Sequence, residues 1–370
     1  MRPLRLAHII TSLGVGGAET MLAKLVASLP PDRVEQRVFG LGPDGPLGDR
    51  IRALGVPVEA LGMSPRKIPV RPIFRLRRLL REYQPEITQT WLYHADWIGG
   101  HLAQKAGCPA VLWSIRNMPE TALARPLTAR LFRLCAQHSG TFPARIISNS
   151  KVAAEAHVEA GYSPQKMIVI PNGFDLDPLQ FSSDGRARLR QEWRVRDDEV
   201  VVGTLARVHP DKGYDVLLRA AERSPGVRFA LAGEGTQALD VPTSLQSRLI
   251  LLGPRTDGIE FLSALDLLVS PSYREGFSNT IAEAMAIRRP VIVTDAGDSA
   301  HITGGFGVVP VGDAEALAAE ILRLANLSPQ ERDRIGHTLR HRIEEHFSMQ
   351  AVRDQFLRLY EEVRAECAGS

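Results

Sequence analysis

The chain has 370 residues, 44% of them hydrophobic, so it is long enough for two domains that each bury a core of their own. Its three cysteines, Cys108, Cys135 and Cys367, are odd in number and widely spaced, which argues against a disulfide scaffold and a zinc site. The net charge is only +3, but it is unevenly distributed.

The distribution of charge bears on the possible partners. Residues 1–178 hold 22 Lys and Arg against 14 Asp and Glu, whereas residues 179–370 hold 23 against 28. A basic half suits an anionic partner such as phospholipid or a phosphorylated acceptor. The basic residues are not interleaved with aromatic ones as they are in a platform that stacks bases, so nucleic acid is not expected as a partner.

The sequence also bears on the compartment. No stretch reaches the roughly 18 consecutive apolar residues of a membrane span, and MRPLRLAHIITSLG leads into a strand pattern instead of a secretory signal. The sparse cysteines fit a reducing compartment. We therefore expect a cytoplasmic protein that is at most peripheral on the inner face of a membrane.

Short apolar strands alternate with amphipathic helices along the first half. LRLAHII (4–10) is typical of a buried strand, the glycine-rich LGVGGAE follows it, and ETMLAKLVASL has the apolar spacing of a helix. Later strands are predicted at VEQRVFG, PEITQTW, AVLWSIR, RIISNS and MIVIPN.

The same alternation begins again in the second half. A strand is predicted at EVVVGTLARV (199–208) and a helix at YDVLLRAAE, followed by strands at VRFALAG, RLILLG, LDLLVSP and PVIVTD. This order predicts an α/β fold with two doubly wound parallel sheets, each binding ligands at the carboxyl ends of its strands. The segment 171–189 is rich in Gly, Pro, Asp and Ser and is the expected joint. We predict domains at 1–178 and 179–348, and a last helix at 349–370 that could belong to either of them.

Two cations follow the first strand of the second half, in LARVHPDKG (205–213). Arg207 and Lys212 are predicted at the carboxyl end of that strand, where a pair of fixed cations can neutralise a diphosphate. The alternative is that both are solvated loop residues.

Two glutamates stand in REGFSNTIAEAMA (274–286), where a strand gives way to a helix. Glu275 falls in the loop and Glu283 in the early turns of the helix, so they address different parts of one ligand. Gly276 permits close backbone approach, and Ser278 or Asn279 can cap a helix whose N-terminus favours phosphate. The alternative for Glu283 is an ordinary glutamate on a helix face.

The combination of these segments resembles the family-four retaining glycosyltransferases, which have the GT-B fold of two Rossmann-like domains facing across a cleft. REGFSNTIAEAMA is similar to their E-x7-E segment, and LARVHPDKG to their Arg…Lys-Gly phosphate loop. The likeness extends to LAGEG, LLGPRTDGIEFLSALDLLVSPS, SNS…MIVIPNGFD and LGVGGAE, so it covers most of the chain. One departure is AIRRPV, where Ile287, Arg288 and Arg289 stand in place of a small pair before the proline.

The resemblance implies a role for each residue of the second half. Arg207 and Lys212 would hold the leaving diphosphate, Glu283 the ribose and Glu275 the donor sugar. The donor would also contact the backbone and side chains of the intervening stretch, which comprises Gly276, Phe277, Ser278 and Asn279.

The first half contributes further candidates. His94 follows the strand PEITQTW, where the family keeps a histidine that touches the donor sugar, although a lone histidine can equally be structural. Gly16 and Gly17 would let the backbone approach the diphosphate or the acceptor. Arg116 and Asn117 end AVLWSIRN and either contact acceptor or donor or simply terminate the strand.

A basic run, SPRKIPVRPIFRLRRLLREY (64–83), is predicted to form an amphipathic helix from Pro72. Its cationic side comprises Arg71, Arg75, Arg78 and Arg81, with Phe74 nearby. Such a face can lie on anionic lipid, or it can simply be solvated.

Three other classes of protein share features with this sequence. An NAD-dependent dehydrogenase needs G-x-G-x-x-G, but Glu19 stands where the third glycine should be, and no carboxylate ends the second strand. A GT-B sugar-nucleotide epimerase and a non-catalytic subunit that binds sugar nucleotides both share the fold, and they stay open.

The resulting expectation is a retaining glycosyltransferase that uses a nucleoside diphosphate sugar and a glycan or lipid-linked acceptor in surface polysaccharide biosynthesis. UDP is the expected nucleotide because it is common in the family. The resemblance also implies that the last helix crosses back to the first domain. No DxD-type pair stands at a plausible strand end, so no metal and no cofactor are expected. Asp96 and Glu120 have no evident partner as a nucleophile, which favours front-face transfer.

Overall fold

The computed structural model describes residues 2–64 and 70–369. It divides into two compact units, Met1–Gly173 with Met349–Ser370, and Phe174–Ser348. The segment 171–189 contains the passage from the first unit to the second, and from Ser183 onward it is helical.

A seven-stranded parallel sheet forms the centre of the first unit. Its strands are β1 (Leu4–Ile10), β2 (Val34–Gly40), β3 (Val58–Ala60), β4 (Ile87–Trp91), β5 (Ala110–Ile115), β6 (Arg145–Ser148) and β7 (Met167–Val169). They lie in the order β3-β2-β1-β4-β5-β6-β7. The order reverses between β1 and β4, and doubly wound sheets bind ligands at such a reversal.

Helices cover both faces of this sheet. They are α1 (Gly17–Ser28), α2 (Pro46–Arg52), α3 (Val70–Tyr83), α4 (Gly100–Lys105), α5 (Pro119–Leu123), α6 (Pro126–His138) and α7 (Lys151–Glu159). Side chains of α1 and α2 pack with Leu6 and Ile10 of β1, whereas those of α3, α4 and α6 pack with Ala7 and Ile9. The alternation along β1 sends successive side chains into the two separate cores.

The second unit repeats the architecture with six strands. They are β8 (Val200–Leu205), β9 (Val227–Ala232), β10 (Leu249–Leu251), β11 (Leu267–Ser270), β12 (Val291–Thr294) and β13 (Val308–Val309). All neighbours are parallel, in the order β10-β9-β8-β11-β12-β13, so the reversal lies between β8 and β11. The predicted strand 199–208 ends at Leu205, and residues 206–208 begin the loop that carries Arg207.

Helices pack against the sheet of the second unit. They are α8 (Ser183–Glu192), α9 (Tyr214–Glu222), α10 (Gly258–Ala264), α11 (Asn279–Ala286), α12 (Ser299–Thr303), α13 (Ala314–Ala325) and α14 (Pro329–His346). Ser182 and Asp313 cap α8 and α13 through their side chains, and Ser328 forms a capping box with Glu331 at the start of α14.

The last helix, α15 (Met349–Ala368), belongs to the first unit. Its apolar side, with Val352, Phe356 and Tyr360, packs into the core that β1 shares with α1. The Tyr360 hydroxyl donates to Gln89 Oε1 in that core. Buried apolar area and a satisfied polar contact together fix this helix on the first sheet.

Candidate active site

The loops after β8 and β11 meet where the strand order of the second sheet reverses. The first loop carries Arg207 and Lys212, and the second carries Glu275. The backbone N–H of Tyr273 donates to the Asp211 carbonyl at 2.8 Å, and Arg274 Nε lies 3.3 Å from Asp211 Oδ1. These contacts hold the two loops together.

An ion pair between Lys212 and Glu275 lies where the two loops meet. Lys212 Nζ donates to Glu275 Oε2 at 2.7 Å, and Ser272 Oγ donates to the same oxygen at 3.1 Å. The two charged side chains are 24% and 12% exposed, so water screens the pair only partly. A ligand that binds here must exchange these contacts for its own.

Arg207 lies on the same loop as Lys212 but does not take part in the ion pair. Its side chain is exposed and makes no hydrogen bond or ion pair within residues 2–64 and 70–369. Arginine presents five donors in a planar fork, which suits the oxygens of a phosphate. The guanidinium is therefore available to an anionic ligand.

Two glycines let backbone segments approach closely at this site. A Cβ on Gly213 would lie 2.0 Å from the Pro271 carbonyl oxygen, and a Cβ on Gly297 would lie 1.9 Å from that of Glu275. Both have positive φ, 63° and 59°, which glycine adopts without strain. Gly213 thus sets the end of the Lys212 loop, and Gly297 supports the backbone of Glu275.

The segment after Glu275 leads into α11. Ser278 occupies the N-cap position, but its side chain makes no capping hydrogen bond. The first-turn N–H groups of a helix have no intrahelical partners, so they can serve a ligand. Glu283 lies in the second turn and is half-buried.

The rest of the predicted stretch divides between surface and core. Gly276 is half-buried and Asn279 is exposed. The Phe277 ring stands 6.1 Å from that of Phe174 and 5.7 Å from that of Phe347, within the apolar core of the second unit. Phe277 therefore anchors this segment, whatever else it contacts.

A small cavity of about 30 Å³ lies beneath these residues. Its lining includes Thr204 and Ser270 from the ends of β8 and β11, together with Lys212, Glu275 and Ser278. It is large enough for about one water molecule with several polar partners. The second unit thus brings Lys212, Glu275 and the start of α11 to one point.

His94 follows β4, beside the strand reversal of the first sheet. It directly precedes a π-helical turn, Ala95–Gly99, and Leu92 just before it has a φ of 73°. Positive φ in a bulky residue and π-helical turns are both costly features that concentrate at functional sites. Burial lowers the pKa of His94, so its imidazole is neutral at neutral pH.

The glycine loop follows β1 on the other side of the same reversal. Gly16 is the N-cap of α1, and Gly17 is its first residue. The Glu19 carboxylate occupies the space beside Gly16, where an added Cβ would meet its Oε2 at 2.3 Å. An anion that approaches the start of α1 must therefore displace Glu19.

Arg116 is buried directly after β5. Its Nη1 donates to Asn172 Oδ1 at 3.3 Å and its guanidinium lies 4.8 Å from the centre of the Trp91 ring, but Nε and Nη2 have no hydrogen-bond partner. Burial lowers the pKa of Arg116 to about 10, which leaves it charged at neutral pH. Asn117 is exposed beside it. A buried guanidinium without a carboxylate partner in the described residues is costly, so an anion is its natural complement.

Two residues of the site are not predicted from the sequence, Ser272 and Gly297. Ser272 stands in SPSYREG, where a hydroxyl near Glu275 gives no distinctive signal. Gly297 follows the predicted strand PVIVTD, and a glycine just after a strand is a weak sign of close backbone approach. Their partners become visible only with the fold.

The described part of the basic run forms α3, which begins at Val70 instead of Pro72, and residues 65–69 lie outside the described residues. Arg75 Nη2 lies 2.6 Å from Glu59 Oε2, and Arg78 Nε lies 3.6 Å from Glu82 Oε1. Arg71 and Arg81 are exposed without an ion pair among the described residues, and Phe74 is 65% exposed. The cationic face is therefore partly neutralised.

No helix in the described ranges is long and apolar enough to cross a membrane. Within the same ranges, no group of three or more His, Cys, Asp or Glu side chains is placed to hold a metal ion.

Two family models match this chain, one in each half. The model described as Glycosyltransferase Family 4 matches residues 15–178, and the one described as Glycosyl transferases group 1 matches residues 199–326. The second range contains the Lys212 loop and the segment from Glu275 to Glu283.

Relatives of known name match parts of the chain. The chain is 35% identical over 167 residues to the D-inositol 3-phosphate glycosyltransferase of Mycobacteroides abscessus, a match that covers 41% of this chain and 37% of that protein. It is 29% identical over 212 residues to the capsular polysaccharide biosynthesis glycosyltransferase CapM of Staphylococcus aureus, covering 54% and 55%. The chain thus spans between about a third and about half of the length of the curated relatives it matches.

Solved structures match over nearly the whole chain. HepE of Anabaena in complex with UDP has a TM-score of 0.78 at 22% identity, and the match covers 97% of this chain and 100% of that one. Sucrose-phosphate synthase of Thermosynechococcus elongatus has a TM-score of 0.72 at 20% identity, covering 98% and 100%. Identities this low show only that the fold is shared. The two parallel sheets and these structural neighbours together define the GT-B fold.

Within that class, the two family models and the relatives together support a family-four glycosyltransferase with the GT-B fold.

Proposed function

We propose that the protein is a retaining glycosyltransferase that moves a sugar from a UDP-sugar to a glycan or lipid-linked acceptor in the synthesis of a surface polysaccharide or glycoconjugate. The observation that carries the proposal is the Lys212–Glu275 pair at the strand reversal of the second sheet, with Arg207 exposed on the same loop. UDP is favoured because HepE, which shares the fold, has been solved with UDP and with UDP-glucose.

The proposed reaction turns on departure of the nucleoside diphosphate. As the bond between the anomeric carbon and the phosphate oxygen breaks, negative charge grows on the diphosphate. Arg207, Lys212 and the first-turn N–H groups of α11 would stabilise that charge through donors already in place. Glu283 would bind the ribose hydroxyls and Glu275 those of the donor sugar, while the role of His94 stays a prediction.

Retention is proposed to follow a front-face path, in which the leaving phosphate oxygen accepts the proton of the acceptor hydroxyl. Asp96 is excluded as a nucleophile because it is 1% exposed and accepts a hydrogen bond from Thr90 Oγ1 at 2.5 Å. Burial raises its pKa to about 7. Trapping a glycosyl-enzyme on Glu120, which is exposed, would contradict the front-face path.

The acceptor is proposed to be anionic. Arg116 is a buried cation with two unsatisfied donor atoms, and it lies at the carboxyl edge of the first sheet, where ligands of such sheets bind. One relative is a D-inositol 3-phosphate glycosyltransferase, and another is a glycosyltransferase of capsular polysaccharide biosynthesis. Arg116 and Asn117 are therefore proposed to contact the acceptor.

Turnover by the isolated chain tests the proposal. We expect release of UDP from UDP-glucose that depends on an added glycan or phosphorylated polyol acceptor. NMR of the product should show that the α configuration of the donor is retained. Because cations of the protein would stabilise the leaving group, the rate should be unchanged in EDTA. An inverted product would contradict retention, and a rate abolished by EDTA and restored by Mg²⁺ would contradict metal independence.

Membrane docking through α3 is proposed as a second property. Arg71 and Arg81 are exposed on this helix and form no ion pair with any residue that the structure describes, and Phe74 lies between them in sequence. Each cation near an anionic surface contributes on the order of 1 kcal/mol, so the double change Arg71→Glu and Arg81→Glu should abolish cosedimentation with phosphatidylglycerol vesicles. Arg50→Glu and Arg52→Glu on α2 is the matched control. Equal loss in the control, or no binding by the unchanged protein, would contradict docking by this face.

A further inference from the structure

A second cavity in the second unit has a volume of about 500 Å³ and lies at the amino ends of the strands. Its lining includes Asp266 just before β11, Pro290 just before β12 and Glu199 just before β8. The Lys212–Glu275 pair lies at the carboxyl ends of the same strands, and the four residues of β11 alone separate the two edges by about 13 Å. The cavity is therefore distinct from the candidate active site.

Four arginines line this cavity. They are Arg186, Arg288, Arg289 and Arg332. Arg186 pairs with Asp266 at 2.7 Å, but the other three form no ion pair with a carboxylate in the described part of the chain. Arg332 Nη1 instead donates to backbone carbonyls, with Ala325 O at 2.9 Å. The lining also holds five carboxylates, so its positive charge is local to the arginines that no carboxylate neutralises at ion-pair distance.

Arg289 is the most enclosed of these unpaired cations. Its guanidinium lies 4.7 Å from the centre of the Phe181 ring, and Nη1 lies 3.3 Å from the Leu265 carbonyl oxygen. Its buried Nε has no hydrogen-bond partner. A donor left without a partner in a buried site costs free energy, and a bound oxyanion would satisfy it.

Arg288 occupies a conformation that suits glycine. Its φ is 63°, and its Nη1 donates to His337 Nε2 at 3.1 Å. A left-handed backbone is strained for a side chain of this size, and glycine would form the same turn without strain. This is the AIRRPV turn, in which the sequence departs from the small pair of the family it resembles. Strain of this kind is often retained where a side chain is needed for function.

Carboxylates line the same cavity. Asp198 pairs with Arg196 and Glu199 with Arg228. Asp197 and Asp333 have no arginine or lysine within ion-pair distance in the described ranges, although each attracts an arginine electrostatically, Asp197 with Arg190 and Asp333 with Arg289. Carboxylates accept hydrogen bonds from hydroxyl groups, and guanidinium groups bind phosphate. A volume of about 500 Å³ suits a small organic ligand better than a single inorganic ion.

We propose that this cavity is a binding site for a phosphorylated polyhydroxy compound, such as a sugar phosphate. Arg288, Arg289 and Arg332 bind the phosphate, and Asp197 and Asp333 accept hydrogen bonds from the hydroxyl groups. The proposal is independent of the transfer reaction, because none of these residues belongs to the candidate active site.

Calorimetric titration of the full chain with glucose 6-phosphate tests this site. Glucose and inorganic phosphate, which each carry only one part of that compound, are titrated for comparison. We expect glucose 6-phosphate to bind more tightly than either. Arg289→Gln should weaken binding at least about tenfold, since it removes a charged donor that the phosphate would use. Arg288→Gly should also weaken it while leaving the fold intact, because glycine suits the backbone there.

Two further variants separate this site from its surroundings. Arg334→Gln changes the same charge on an exposed part of α14 outside the cavity, and it should bind like the unchanged protein. Lys212→Ala should also leave binding unchanged, because it alters the other edge of the sheet. The proposal is overturned if the unchanged protein shows no binding up to about 10 mM, well beyond the range of specific sites. It is also overturned if both cavity variants bind normally, or if Lys212→Ala abolishes binding.

Discussion

Lys212→Ala is expected to slow sugar transfer at least a hundredfold. The lysine is proposed to neutralise charge that develops on the leaving diphosphate, and one preorganised contact of this kind contributes about 3 kcal/mol to the transition state. The variant also leaves the Glu275 carboxylate, now 2.7 Å from the ammonium, without its cation. An unpaired carboxylate would repel the donor phosphates, so affinity for the donor should fall as well.

A double-mutant cycle separates these two effects. Glu275→Gln removes the carboxylate charge, so the double variant with Lys212→Ala should regain donor affinity relative to Lys212→Ala alone but not its rate. Lys105→Ala, an exposed lysine at the end of α4, is the matched control. The kcat and KM for the donor are measured for the four proteins of the cycle and for the control. A Lys212→Ala rate within a few fold of the unchanged protein would contradict the role given to this residue.

Asp266→Asn is expected to destabilise the second unit by about 3–5 kcal/mol, the usual cost of breaking a buried ion pair by removing one partner. Asp266 is 8% exposed, and its oxygens lie 2.7 Å from Arg186 Nη2 and 3.1 Å from Arg190 Nη1. It also accepts the backbone N–H of Val201 at 2.8 Å, which fixes the start of β8. The asparagine leaves two guanidinium groups without their shared counter-ion.

Urea unfolding measures this loss, and hydrogen exchange on peptides from 174–348 assigns it to the second unit. Asp198→Asn is the control, because its pair with Arg196 is about three-quarters exposed and such pairs contribute little. Equal stability of Asp266→Asn and the unchanged protein would show that the arginines find other partners. Because Asp266 and Arg186 line the cavity of about 500 Å³, that result would also change which of its arginines count as paired.

The contribution of Asp266 should depend on pH. Burial opposes ionisation of this carboxyl, but the attraction of Arg186 and Arg190 and the hydrogen bond from Val201 outweigh it, so its pKa is lowered below 3.8. A lowered pKa stabilises the folded state above the unfolded pKa, and that stabilisation is lost as the pH falls through the folded one. The difference between the unchanged protein and Asp266→Asn should therefore be full at neutral pH and shrink below about pH 4.

The fold could be predicted from the sequence because most strands are short, largely apolar runs, several of them flanked by glycine or proline. Alternation of such runs with helices predicted two parallel sheets, and the GT-B fold is confirmed. The α9 helix coincides with the predicted YDVLLRAAE, since its apolar spacing is unambiguous. The predicted strand 199–208 extends beyond the actual end of β8 at Leu205, because Val208 continues the apolar pattern after the chain has left the sheet.

The contacts within the candidate active site are harder to predict from the sequence than the fold. Lys212 and Glu275 are 63 residues apart, and only the adjacency of β8 and β11 brings them to 2.7 Å. The pairing of Arg75 with Glu59 joins α3 to β3 and could not be read from a helical wheel, which treats a helix in isolation. The burial of Arg289 likewise depends on Phe181, which lies far away along the chain.

The central claim is that the second unit binds the nucleotide of a UDP-sugar, and nucleotide binding tests it most directly. Thermal unfolding is followed with UDP, GDP, ADP and NAD, for the unchanged protein, Glu283→Ala and the control Glu315→Ala, an exposed glutamate in the first turn of α13. A ligand at a hundredfold its Kd should stabilise the fold by about 2.7 kcal/mol. We predict stabilisation by UDP that is lost in Glu283→Ala and kept in Glu315→Ala. Stabilisation by NAD alone, or by UDP equally in all three proteins, would contradict the account.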